Sequence, residues 1–187
     1  MTVKIGIIGA MRSGKDTFAE PLIYSEGLYP MKFADGIHEI IENYFPETLL
    51  EGSKPREHYQ HIGQSLRQLN PDVWVNRLEQ DYRTALFCND IEPLSGYIIT
   101  DVRQPNEVEW CKRNGFTIVK LVASSDVRRQ RILDCGDKFE EKQFYHETES
   151  YVKQVAADYV INSNCSKEEL QKKAVELYQK LSKQEAE

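Results

Sequence analysis

The sequence predicts an α/β fold: a five-stranded parallel sheet with helices on both faces, carrying a helical insertion and a lid. Three observations predict it. Short apolar runs alternate along the chain with segments of helical periodicity, the pattern of strand–helix–strand units whose strands are buried on both faces. The first run, Lys4-Ile5-Gly6-Ile7-Ile8, leads directly into Gly9-Ala10-Met11-Arg12-Ser13-Gly14-Lys15-Asp16-Thr17, a glycine-bearing segment suited to a strand-to-helix turn. The length of 187 residues, 40% hydrophobic and 29% charged, suits one compact domain spanning 1–187.

The elements follow in order. Lys4 to Ile8 is the first strand, its continuous apolar run marking a central position. A helix is expected from Gly14 to about Ser25 with Phe18, Leu22 and Ile23 inward, and Pro21 inside it predicts a kink or an early stop. Tyr29 to Phe33 reads as a short second strand. Asp35 is placed to cap a helix carrying Ile37, Ile40, Ile41 and Tyr44 at helical spacing, ended by Pro46. After a turn at Gly52 to Pro55, helices are expected over Glu57–Gln68 and Asp72–Leu86, so 52–90 forms a helical insertion. Tyr97 to Thr100 is a buried strand ending on Asp101. Pro105 to Asn114 is a helix closed by Gly115. Thr117 to Val122 is the fourth strand, followed by a helix from Ser125. The polar stretch Asp134–Tyr145 lies within a lid expected over 125–150. Tyr159 to Ile161 is the fifth strand. Ser166 to about Leu181 is an amphipathic helix, with Ser166 and Glu169 as a capping box.

The net charge of −6 opposes general nucleic-acid binding, which rewards basic surface. No apolar stretch approaches the roughly 18 residues of a membrane span, and the first strand is too short for a secretory signal. A cytoplasmic protein is the expectation, without membrane or nucleic-acid partners. Cys88, Cys111, Cys135 and Cys165 are too widely spaced for a zinc site and read as reduced thiols.

The chemistry concentrates at Gly9–Thr17. A phosphate needs several N–H donors converging on one point. A glycine-rich loop entering a helix supplies them, and the helix N-terminus adds positive potential. Gly9, Gly14 and Lys15 match the GxxxxGK spacing of a P-loop NTPase, with Lys15 reaching the β and γ phosphates of ATP. Arg12 and Ser13 lie within the cradle. Asp16 stands where the usual pattern has Ser or Thr to ligate Mg²⁺. As a hard oxygen ligand it either holds the metal, directly or through water, or is simply an acid in the first helical turn. Thr17 then contacts a phosphate.

The segment Gly9–Thr17, with its GKDT ending, resembles the bacteriophage-type deoxynucleoside monophosphate kinases. So does Thr100-Asp101-Val102-Arg103-Gln104-Pro105-Asn106-Glu107, similar to that group's TDVRxPNE segment. Ile62–Arg67 followed by Asp72–Val75 is a looser match, and Lys32–Asp35 and Asp158–Asn164 are similar too. The resemblance implies an adenylate-kinase-like fold and transfer of the ATP γ-phosphoryl group to a (deoxy)nucleoside monophosphate.

Phosphoryl transfer to an anionic acceptor needs positioning and charge neutralisation more than a base. The expected catalytic groups are therefore Lys15, Asp101, Arg103, Arg128 and Arg131. Asp101 and Arg103 follow a buried strand, where ligands bind in parallel sheets. There Asp101 either positions the Mg²⁺ water shell and Arg103 the acceptor phosphate, or the two form a structural pair. Arg128 and Arg131 either close on ATP from a lid or lie on a solvated helix face. Asn162 is placed for adenine or for an ordinary turn. The resemblance implies an acceptor-side role for Glu107 and a phosphate clamp for Arg67, which otherwise reads as a solvated surface arginine. Trp74 either stacks on the acceptor base or fills a core, and Asp35 either contacts the acceptor or caps its helix. The partners are small-molecule nucleotides, the cofactors ATP and Mg²⁺, and the assembly a monomer or homodimer. A P-loop kinase of another phosphorylated small molecule, such as phosphomevalonate or dephospho-coenzyme A, and a non-catalytic nucleotide-binding module are the competing readings.

Overall fold

The first strand, β1 (Val3–Gly9), lies at the centre of a five-stranded sheet. The others are β2 (Leu28–Met31), β3 (Gly96–Val102), β4 (Thr117–Val122) and β5 (Tyr159–Asn162), in the order β2-β3-β1-β4-β5. β1 runs parallel to β3 and β4, and β4 parallel to β5. The computed structural model that gives these elements describes residues 2–50, 55–89, 94–135, 151–152 and 154–184. Ile5, Ile7 and Ile8 are fully buried, as the uninterrupted apolar run predicts for a strand covered on both faces. On one face Ile5 and Ile7 meet Phe18 and Leu22 of α1 (Lys15–Tyr24) and Leu170, Ala174 and Leu177 of the last helix, α8 (Lys167–Gln184). On the other, α6 (Pro105–Arg113) packs on β4, and Trp110 lies 5.6 Å from Phe116, centroid to centroid. Cys111 of α6 is fully buried. Burial, then the charges of Glu107 and Asp101, holds its thiol far above the ordinary range.

Two compact units make up the chain: Met1–Pro30 with Leu94–Glu187, and Met31–Pro93. The second contains the 52–90 span and holds α2 (Asp35–Tyr44), α3 (Glu47–Leu50), α4 (Arg56–Leu69) and α5 (Val73–Asn89). Within it α2 packs on α4 and α5. Arg77 of α5 pairs with Asp81 and with Glu39 of α2, and the hydrogen bonds to these two carboxylates raise the guanidinium's pKa. No helix among the described residues is long and apolar enough to cross a membrane.

Several boundaries correct the expectations. Pro21 neither stops α1 nor ends it early: the helix continues to Tyr24, and the Pro21 carbonyl accepts the N–H groups of Ser25 and Glu26. Asp35 is the first residue of α2 rather than its cap, because the first helical bond runs from the His38 N–H to the Ala34 carbonyl, while the Asp35 carboxylate accepts the Lys32 N–H at 3.0 Å. Ser166 caps α8 by accepting the Glu169 N–H, but Glu169 sends its own carboxylate to Lys173 at 2.9 Å rather than back to the cap. The short helix α3 follows Pro46 where only a helix end was expected. The turn expected at 52–55 and the lid at 125–150 lie partly outside the described residues. Of the lid, 125–135 are described, with α7 (Ser125–Asp134) capped by Ser124, whose Oγ accepts the Val127 N–H.

Candidate active site

Parallel pairing brings four strand ends to one edge of the sheet. Ile8 aligns with Val102 and Gly9 with Leu121, while Val122 aligns with Asn162. The loops leaving these ends therefore share the carboxyl edge, where ligands bind in such sheets. They are the Gly9–Gly14 loop, the loop opening α6, the Ser124 cap of α7, and the Ser163–Ser166 connection to α8.

The first of these loops is tightly wound. Gly14 takes φ 92° and Arg12 φ 61°, and the Ser13 N–H returns to the Ala10 carbonyl at 3.1 Å. Gly14 is required twice over. Its backbone lies in the left-handed region, and a Cβ would come within 2.8 Å of Leu170 Cδ2. A Cβ on Gly9 would come within 2.5 Å of Ser13 Oγ and 3.0 Å of the Leu121 carbonyl oxygen, so the loop can lie on the end of β4 only with glycine there. Ser13 is fully buried, and its Oγ has no hydrogen-bond partner among the described residues. Such an orphan hydroxyl is a stored cost typical of a ligand-binding loop. Lys15 donates to the carbonyls of Gly9 at 2.8 Å and Ala10 at 3.0 Å, which holds the ammonium over the loop. Asp16 is exposed on the first turn of α1, and Thr17 is half-buried beside it.

Asp101 is the penultimate residue of β3, not a residue beyond it as expected, because the strand pairs with β1 as far as Val102. It is half-buried, and Arg103 just past the strand is exposed. Glu107 is 2% exposed. Its carboxylate accepts the N–H groups of Arg103 at 2.7 Å and Gln104 at 3.0 Å, completing a capping box with Gln104. Its contact is thus to the loop backbone, and it fixes the turn that presents Arg103. The QPNE spacing carried that signal, with Pro105 at the first helical position.

Arg128 and Arg131 do not lie on a solvated face. Arg128, 5% exposed, donates to the Met11 carbonyl at 3.3 Å. Arg131 donates to the carbonyls of Arg12 at 3.1 Å, Ser163 at 2.6 Å and, more distantly, Cys165 at 3.4 Å. Asn162 Oδ1 accepts the Asn164 N–H. Asn164 in turn accepts the Ser124 N–H, and Ser163 donates through both N and Oγ to Val122. Asp158 accepts the Ile118 N–H at 2.7 Å. The Asp158–Asn164 segment is thereby stitched to β4.

No protein-family profile matches the chain. A curated protein of Acanthamoeba polyphaga mimivirus, named "Putative deoxynucleotide monophosphate kinase", is 25% identical over 159 residues, covering 70% of this chain and 81% of that protein. Among solved structures, a shikimate kinase from Acinetobacter baumannii aligns with TM-score 0.62 at 16% identity, over 100% of this chain and 97% of its own. A dephospho-CoA kinase from Campylobacter jejuni aligns with TM-score 0.58 at 14% identity, over 99% and 100%. The fold is that of the P-loop kinases. The resemblance to deoxynucleoside monophosphate kinases, drawn from Gly9–Thr17 and Thr100–Glu107, is met by the viral relative.

In this P-loop kinase fold the Met31–Pro93 unit carries the remaining expected residues. Trp74 is 3% exposed, and its indole N–H donates to the Gly63 carbonyl at 3.1 Å. Its ring packs at Gly36, where a Cβ would come within 3.2 Å. Trp74 therefore lies in the core of this unit. Arg67 of α4 is half-buried near Gly63, and Asp35 stands at the start of α2. Sequence reasoning missed a polar pair here: His38 Nδ1 and the Tyr59 hydroxyl lie 2.7 Å apart. Burial and the nearby Asp35 charge raise the Tyr59 pKa. Replacing Trp74 by phenylalanine is expected to cost about 1–3 kcal/mol, since the Gly63 carbonyl loses its buried donor. The acceptor KM should be unchanged. Denaturant melts and steady-state kinetics check both, and a raised KM at unchanged stability would return Trp74 to the substrate.

Proposed function

We propose that the chain transfers the γ-phosphoryl group of ATP to a (deoxy)nucleoside monophosphate. The observation that carries this reading is the wound Gly9–Gly14 loop standing at the same sheet edge as Asp101 and the capped Arg103 turn. A polyanionic donor and an anionic acceptor would there meet opposed cationic groups. The resemblance of Thr100–Glu107 and the viral relative favour a nucleoside monophosphate as acceptor.

The loop fits a phosphate chain. Its glycines let it lie close against Leu121 and Leu170, and its backbone enters α1 at the positive end of the helix. Lys15 would exchange its two loop carbonyls for β and γ oxygens and neutralise charge as the phosphoryl group moves. Arg103 would hold the acceptor phosphate in line, positioned by the Glu107 cap. Among the described residues no group of three His, Cys, Asp or Glu side chains is arranged to hold a metal. Magnesium needs none, since it keeps several waters and takes one or two carboxylates with substrate phosphates. Asp16 and Asp101 are the carboxylates suited to it, and the ion would supply charge neutralisation at the β and γ oxygens.

The test is a coupled ADP-formation assay across nucleoside monophosphates, phosphomevalonate and dephospho-coenzyme A. Stimulation by at least one nucleoside monophosphate is expected. Turnover with only a non-nucleotide acceptor would sink the acceptor assignment, and ATP binding with no turnover would sink the kinase reading. Arg103→Ala is expected to raise the acceptor KM about tenfold or more, the loss of one charge-assisted contact, with nearly unchanged ATP affinity. An equal loss of ATP affinity would move Arg103 to the donor side.

A further inference from the structure

We infer that Arg131 is a positioning residue that clasps the phosphate loop to the β5–α8 connection and so holds the cradle in its binding shape. The inference rests on the phosphate-loop reading but not on the identity of the acceptor.

The clasp joins three carbonyls from two distant segments: Arg12 on one side, Ser163 and Cys165 on the other. A planar guanidinium presents its donors in a fixed fork and can span such a set, whereas a lysine ammonium is a single point on a flexible stem. One end of the clasp is rigid. Ser163 is fully buried and bound to Val122 through both N and Oγ, and Asn164 is held to Ser124. The other end is strained. Arg12 is the only non-glycine residue with positive φ among the described residues, a conformation that costs on the order of 1–2 kcal/mol for an L residue. Gly14, two residues on, is also left-handed. The bonds within the loop, from Ser13 N–H to Ala10 and from Lys15 to Gly9 and Ala10, fall on its first two carbonyls, whereas the Arg12 carbonyl is met from outside the loop. Arg131 binds the carbonyl of the strained residue itself. Arg128 binds the preceding carbonyl, of Met11. An arginine used this way acts on the donor through the backbone it shapes, not by touching a phosphate.

The test reads the loop both without and with ligand. Hydrogen exchange of the ligand-free protein should show faster exchange at residues 11–14 in Arg131→Met and in Arg131→Lys, and unchanged exchange there would overturn the clasp. Binding of ADP and of inorganic tripolyphosphate is then measured by calorimetry. Both variants are expected to lose about tenfold for both ligands, the factor that ~1.4 kcal/mol of loop strain represents. In an Arg12→Gly background, where positive φ carries no penalty, the loss on changing Arg131 should shrink to about threefold or less. Full affinity in Arg131→Lys would mean that charge alone matters. An undiminished loss in the Arg12→Gly background would mean that Arg131 acts elsewhere. If Arg131→Met does not fold, Arg131→Lys carries every arm. Absence of ADP and tripolyphosphate binding in the unaltered protein would overturn the phosphate-loop reading, and the exchange result would still stand or fall on its own.

Discussion

Replacing Lys15 by alanine is expected to lower turnover by about 10²–10³-fold, the scale of losing one preorganised electrostatic group in a transition state. The fold should survive. The Lys15 side chain lies outside the apolar core, and its ammonium donates to the carbonyls of Gly9 and Ala10 on the surface loop. The bonds are charge-assisted, but water replaces the ammonium at half-exposed carbonyls, so their loss costs on the order of 1–2 kcal/mol. The ammonium is better placed than an exposed loop lysine would be. It is half-buried and already over the loop, so it need not be collected from solvent when a phosphate arrives. The measurement is kcat in the ADP-formation assay beside a thermal melt. Normal turnover would remove the loop from the chemistry, and a collapsed melt would make Lys15 a structural residue.

What the sequence makes legible is local. β4 runs from Thr117 to Val122 as expected because Gly115, at φ 74°, ends the helix before it and the Ser124 cap begins the helix after it. Both are signals carried within a few residues. The phosphate loop is legible for the same reason, since glycine spacing between a strand and a helix is a local pattern. What stays hidden depends on contacts between remote segments. Nothing near Arg131 announces that its guanidinium will meet the carbonyl of Arg12, 119 residues away. The run of arginines on α7 could only offer a lid or a solvated face. Trp74 is similar. Its neighbours Val73 and Val75 suggest a core, but the Gly63 carbonyl that its indole N–H meets lies on another helix. β3 extends to Val102 because β1 offers it a pairing edge, and pairing edges are tertiary facts. Pro21 misleads for a different reason. It removes one N–H from α1, yet the helix packs on the sheet beside α8, and the burial of Phe18, Ala19 and Leu22 outweighs that bond.

Glu107→Ala is expected to produce the largest loss of stability among single changes at the site, about 2–4 kcal/mol. Its carboxylate is 2% exposed as a residue and satisfies two backbone N–H groups by charge-assisted bonds. Removal leaves both donors unpaired beside the sheet and takes half of the capping box from α6. For a domain of this size that corresponds to a fall in Tm of roughly 4–16 °C. The loss also reaches function, because the two orphaned donors belong to Arg103 and Gln104, the turn that presents the Arg103 side chain. Acceptor KM should therefore rise together with the fall in Tm, while ATP affinity changes little. The two readings of Glu107 separate cleanly here. A glutamate that bound the acceptor directly would leave the stability within about 0.5 kcal/mol of the original, as exposed substitutions do, and would change KM alone. Glu107→Gln sharpens the comparison: it keeps the side chain's length and one acceptor oxygen but loses the charge. It should recover part of the Tm loss and part of the KM loss in the same proportion, as expected when the acceptor senses Glu107 only through the shape of the Arg103 turn.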